Sequence, residues 1–148
     1  MNTDTETRSV IVEREFPCPP EKLWRALTQP HLIEEWLMKN DFKPDMGHRF
    51  HLRMEPQQSW NGVIDCEVVE IDPNRTLSYT WAAMGVGTAV TFTLTPTAAG
   101  THLRVEQSGF GRDQAQAYAG ATYGWKNFLG KLDQLLARPG RDGLRAEL

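Results

Sequence analysis

At 148 residues the chain has the length of one domain, which buries about two-thirds or more of its unfolded surface without disulfide or metal staples. Sixteen basic against 19 acidic residues give a net charge of -3 with neither sign gathered into a block, which argues against nucleic acid as a partner. No apolar run reaches the roughly 18 residues of a membrane span and the polar stretch from Met1 to Arg8 has no signal-peptide core, so a cytoplasmic chain without membrane insertion is expected.

Val10, Val12 and Phe16 alternate with Ile11, Glu13 and Glu15 up to the prolines between Pro17 and Pro20, the pattern of a strand closed by a turn. Pro19 and Pro20 then suit the first turn of a helix. Leu23, Trp24 and Leu27 share one face of a short helix over Glu21 to Thr28, which Gln29-Pro30 breaks; Leu32, Ile33, Trp36 and Leu37 recur at helical spacing in a second. Asn40 to Gly47 reads as loop.

Beyond Gly47 the period drops to two for about five further strands, about six in all. His48, Phe50, Leu52 and Met54 form one inward row, and Leu77, Tyr79 and Trp81 another. Val90, Phe92 and Leu94 follow, and Leu103 and Val105 close the sheet. The doublets Val63-Ile64 and Val68-Val69 break alternation and predict a bulge, which bends a strand. Threonines 91, 93 and 95 face the other way, as on a sheet wetted on one side.

Gly109 to Arg112 ends the strands, and beyond it to about Ala137 the period becomes helical, with Tyr118, Thr122, Trp125, Leu129, Leu132 and Leu136 in one stripe of a helix of roughly six turns. Gly120, Gly124 and Gly130 inside it each cost on the order of 0.5 to 1 kcal/mol relative to alanine. Close approach of the helix to the sheet is the expectation adopted for them; space left for a ligand is the alternative. No repeat or linker divides the chain, so a single domain over 8–137 with polar tails at 1–7 and 138–148 is expected.

Catalytic signatures are few. Cys18 and Cys66 lack C-x-x-C spacing, and His31, His48, His51 and His102 form no H-x-x-x-H or H-E-x-x-H pair, so neither a disulfide, a metal nor another cofactor is expected. Ser59, Ser78 and Ser108 stand in no G-x-S-x-G context, and no phosphate-cradling glycine loop occurs. Asp65 and Glu67 share a strand face and read as a solvated charge ladder with Arg49 or Arg53, with an acid/base pair as the alternative.

The element order resembles the α+β helix-grip fold of the START and SRPBCC superfamily, a curved antiparallel sheet wrapped around a long C-terminal helix. Pro19-Pro20-Glu21-Lys22-Leu23-Trp24-Arg25-Ala26-Leu27-Thr28 with Pro30 and Trp36 is similar to the opening of the family called activator of heat-shock-protein-90 ATPase homologues. So are Glu70-Ile71-Asp72-Pro73-Asn74-Arg75 leading into Leu77-Ser78-Tyr79-Thr80-Trp81, the Gly109-Phe110 pair, and Gly124-Trp125. Where many relatives place a histidine just before that Gly-Phe pair, this chain has Gln107-Ser108.

The resemblance implies a hollow between sheet and helix, a favoured kind of small-molecule site. Trp36, Phe42, Phe50, Leu52, Trp60, Trp81, Phe92, Tyr118 and Trp125 are the candidates to line it, or else simply to form the core, with Trp81, Tyr118 and Trp125 as ligand anchors. Three functions are in view: non-catalytic binding of a small apolar molecule, a protein-interaction module for a chaperone or other protein, and a cyclase-like or hydrolase-like enzyme using Asp65, Glu67 or Tyr79. A monomer or a homodimer fits each.

Overall fold

In the computed structural model, which describes residues 7–56 and 60–137, the elements run in a fixed order. They are β1 (Thr7–Phe16), α1 (Pro20–Thr28), α2 (Pro30–Trp36), β2 (Lys39–Asn40), β3 (Arg49–Arg53), β4 (Val63–Asp72), β5 (Thr76–Ala83), β6 (Val86–Thr97), β7 (Gly100–Gly111) and α3 (Ala115–Leu136). The expected polar tails, apart from the Thr7 backbone, and Ser59 lie outside the described residues.

Prolines set the first corner. Pro20 and Pro30 open α1 and α2 at positions where a helix needs no N–H. Trp36, at the end of α2, donates its indole Nε1–H to the Ala26 carbonyl at 2.8 Å and so locks the two short helices side by side.

Among the described residues all strands join one antiparallel sheet in the order β1-β7-β6-β5-β4-β3-β2. The seventh strand, beyond the six expected, is β2, a two-residue strand beside β3. Two residues are too few to show a period, and this strand is held by side-chain chemistry: Asn40 Nδ2 donates to the Pro30 and Met38 carbonyls, while its Oδ1 accepts from the Phe42 N–H.

The predicted bulge is present. The β4–β5 register shifts between Val68 and Glu70, and the Glu67 N–H turns to the Thr80 hydroxyl at 2.8 Å. An unpaired backbone donor at the bend is thereby satisfied, and the sheet curls there.

The concave face holds the core. Phe50, Leu52, Leu77, Val90, Phe92, Leu103 and Val105 are buried in one cluster with residues of α1, α2 and the last three turns of α3, where Leu129, Leu132, Leu135 and Leu136 are buried too. Met54, placed on an inward row by its alternation, is exposed beyond the end of β3. The convex face carries paired charges, including Arg49 with Glu67 at 3.6 Å and His102 between Glu13 and Glu15 at 2.7 and 2.8 Å.

Candidate functional site

A chain of aromatic rings runs along the concave face. Phe42 meets Phe50 edge-on with centroids 5.1 Å apart, Phe50 meets Tyr79 at 5.0 Å, Tyr79 meets Phe92 at 5.8 Å, and Phe92 meets Trp125 at 5.8 Å. Trp36 packs edge-on against Phe92 at 6.4 Å. These rings fill their end of the groove.

At Trp125 the filling stops. Toward the start of α3 the helix presents Ala117, Gly120, Ala121 and Gly124, side chains too small to reach the sheet, and a cavity of about 690 Å³ remains. The opposite wall comes from Ile64 of β4, Trp81 and Ala83 of β5, Val86 and Thr88 of β6, and Gln107 and Phe110 of β7. Met38, Met54, Trp60 and Met84 complete it at the loops, and Gln116 and Phe128 on the helix. Among the described residues that line it, none carries a charge.

The glycines have a different reason from the one expected. Among the described residues, and apart from the adjacent residues and the helix's own backbone, no atom lies within 4 Å of the Cβ position at Gly120 or Gly130, and at Gly124 only the Phe128 ring does, at 3.8 Å. Close approach to the sheet therefore does not explain them; at Gly120 and Gly124 the missing side chains leave room beside the cavity.

Of the nine sequence candidates, Trp60, Trp81 and Trp125 stand on the cavity wall. Trp36, Phe42, Phe50, Leu52 and Phe92 lie in the packed core instead, because their rows continue past the opening to the end of the groove that the two short helices cover. Tyr118 faces the β1 edge. Its hydroxyl donates to the Ser9 carbonyl at 3.2 Å, Phe110 meets its ring edge-on at 5.7 Å, and the Arg8 guanidinium sits 4.3 Å over the ring centroid. It fastens the first turns of α3 to the sheet.

Two contributors escaped the sequence reading although a signal existed. Gln107 continues the inward row of Leu103 and Val105 on β7, a polar residue at an apolar position, and is 4% exposed. Met84 sits at the β5–β6 hairpin with φ 53°, followed by Gly85 at φ 79°, the positive pair of a tight hairpin turn. A non-glycine residue there is strained by roughly 1 to 2 kcal/mol. It is also exposed at the cavity mouth.

Polar groups meet at the cavity floor. The Trp125 indole Nε1–H donates to Gln107 Oε1 at 2.7 Å, Gln107 Nε2 donates to Thr88 Oγ1 at 2.9 Å, and the Thr88 hydroxyl donates to the Trp81 carbonyl at 2.9 Å. The acid/base candidates lie elsewhere. Asp65 and Glu67 point outward, beside His51 at 3.4 Å and Arg49 at 3.6 Å, so the ladder's partner for Asp65 is a histidine and not Arg53. Tyr79 is enclosed in the ring chain, where burial and then the neighbouring Cys66 push its hydroxyl far above the ordinary phenol range. Burial first, then Asp65 and Asp41, push the Cys66 thiol up to about 12, so no thiolate is available at neutral pH. Cys18, also buried, is shifted the same way. Among the described residues no group of three or more His, Cys, Asp and Glu is placed to hold a metal ion, and no helix is long and apolar enough to cross a membrane.

The fold and its hollow define the class: an α+β helix-grip domain whose terminal helix lies in a curved antiparallel sheet. Residues 17–137 match the family described as "Activator of Hsp90 ATPase homolog 1-like protein", and the chain belongs to that family. Among solved structures, it is similar to protein MLL2253 of Mesorhizobium loti, with 61% identity, a TM-score of 0.83, and 87% of this chain and 96% of that chain covered. It is similar to Bacillus halodurans protein BH1534 at 28% identity and TM-score 0.74, over 87% of this chain and 96% of that one. DynU16, described as a putative protein in the dynemicin biosynthetic locus, shares 27% identity at TM-score 0.77 over 86% of this chain but 46% of that longer one. A comparison with curated proteins gives no match.

Proposed function

We propose that this domain binds a small, mainly apolar molecule in the cavity between α3 and the sheet, and does not transform it. The observation that carries this reading is the uncharged, aromatic-lined space of about 690 Å³, which falls within the roughly 300 to 1,000 Å³ common for small-molecule sites. The outward Asp65 and Glu67 and the enclosed Tyr79 support binding over catalysis, since none of them reaches the cavity. The relative in a biosynthetic locus supports a small-molecule setting.

Titration of the intrinsic tryptophan fluorescence with a panel of lipids, polyketides and aromatic compounds tests it. A saturable change with at least one class is expected, because Trp60, Trp81 and Trp125 line the space. Flat curves across the panel, with the protein folded, would overturn it. A protein-interaction module resembling the chaperone activator's C-terminal domain is the second reading; it rests on the family match.

A further inference from the structure

The β5–β6 hairpin outruns its neighbours at the cavity mouth. β4 pairs with β5 as far as Asp65 opposite Ala82, and β7 pairs with β6 as far as Ser108 opposite Ala89. Past those points the hairpin runs on through Ala83 opposite Val86 to the turn at Met84 and Gly85, and among the described residues no strand pairs with either flank of it. A two-stranded ribbon without neighbours is only marginally stable in water.

Space lies on both faces of this ribbon. Ala82 and Gly87 alternate with the inward Trp81, Ala83 and Thr88, and with Val63, Asp65 and Gly85 they line a second hollow of about 450 Å³ on the convex side. Trp60, Ala83, Met84 and Val86 line this hollow and the cavity alike, so they are the partition between the two. Among the described residues, and apart from chain neighbours, no atom lies within 4 Å of the Cβ position at Gly85 or Gly87.

The root of the ribbon is fastened instead. The Thr88 hydroxyl donates to the Trp81 carbonyl and accepts from Gln107 Nε2, each at 2.9 Å. Gly109 of β7 lies so close that a Cβ on it would meet the Gly87 carbonyl oxygen at 3.2 Å. A ribbon held at its root, unpaired along both flanks and backed by space has one soft direction, out of the plane of the sheet.

We propose that the hairpin tip from Ala83 to Val86 is the gate of the cavity. It bends about Ala82 and Gly87 into the outer hollow, and so lifts Met84 and Val86 off the mouth to let a ligand pass. The positive φ of Met84 raises the closed form toward the open one, as backbone strain does in two-state elements. The inference rests on the ligand-binding reading above and adds the route of entry.

Gly87→Val tests it, because Gly87 lines the outer hollow and not the cavity. The new side chain stiffens the hinge and occupies the space into which the tip would move. Stopped-flow mixing of the full chain with the neutral apolar fluorophore N-phenyl-1-naphthylamine reads both rate constants. Association and dissociation should slow together by about fivefold or more, with Kd constant to about twofold, since a gate alters the path and not its end states. Unchanged rates, or a change in dissociation alone, overturn the gate and leave the cavity reading standing. No binding of the fluorophore to the folded wild type counts against the cavity reading itself, and the gate falls with it.

Amide hydrogen exchange of the wild type needs neither ligand nor variant. Ala83 and Val86 should exchange on the order of a hundredfold faster than Tyr79 and Val90 further along the same ladder. Equal protection of the four overturns the gate.

Discussion

Trp125 joins two environments through one side chain. Its ring continues the packed series from Phe92, while its N–H orients Gln107 at the floor of the cavity. On the far face His102 does comparable work with charge. Hydrogen bonds that its ring donates to the Glu15 carboxylate, then to Glu13, raise its pKa above the usual value of about 6.5. A raised folded value means that the stabilisation is complete below about pH 6.5 and fades as pH rises through the folded pKa. Thermal melts should therefore show His102→Gln less stable than wild type at pH 5.5 to 6, about the working range of this group, with the difference shrinking toward pH 8.5. A pH-independent difference would mean that the clamp between β1 and β7 acts through packing alone.

At this scale the sequence reveals a residue's face but not its depth along the groove. The rows of Phe50, Leu52 and Phe92 alternate as Trp81 does, so all four read as inward. What separates core from wall is the cover above each: Phe42 and Tyr79 pack on Phe50, Trp36 and Trp125 on Phe92, while among the described residues Trp81 meets only the Trp125 ring, where the small residues of α3 begin. That cover comes from distant parts of the chain. Gln107 was legible in principle, since a carboxamide in an apolar row demands partners, and Trp125 and Thr88 supply them.

Among the elements, α3 divides into two halves with different tasks. From Trp125 onward it buries leucines; before it, Ala117, Gly120, Ala121 and Gly124 leave the groove unfilled. The helix itself, its length and its apolar stripe were readable from spacing, as were the two short helices and the bulge in β4. The meaning of the glycines was not, because close packing and empty space require the same missing Cβ.

Substitution separates the two meanings. Gly120→Leu should raise stability by about 0.5 to 1 kcal/mol, since helix propensity improves and no atom opposes the new Cβ within 4 Å. The same leucine should weaken apolar-ligand binding at least tenfold by filling the mouth. Thermal melts and fluorescence titration of the one variant measure both effects, and a destabilised protein with intact binding would contradict this role of α3.

Taken whole, the molecule is a groove filled from one end. The aromatic series, the two short helices and the leucines of α3 close that end, while Tyr118, held by Ser9, Phe110 and Arg8, keeps the start of α3 fixed over the other. For the binding proposed above, a roof fastened in this way over an unfilled floor would lower the ordering cost. The five tryptophans sample both ends: Trp24 and Trp36 belong to the short helices, and Trp60, Trp81 and Trp125 to the cavity.

Their indole N–H resonances, followed by NMR while the tightest-binding compound of the fluorescence panel is added, test the account most directly. The account predicts saturable shifts for Trp60, Trp81 and Trp125, with Trp24 and Trp36 unmoved. Shifts confined to Trp24 and Trp36, or none at any of the five, would contradict it.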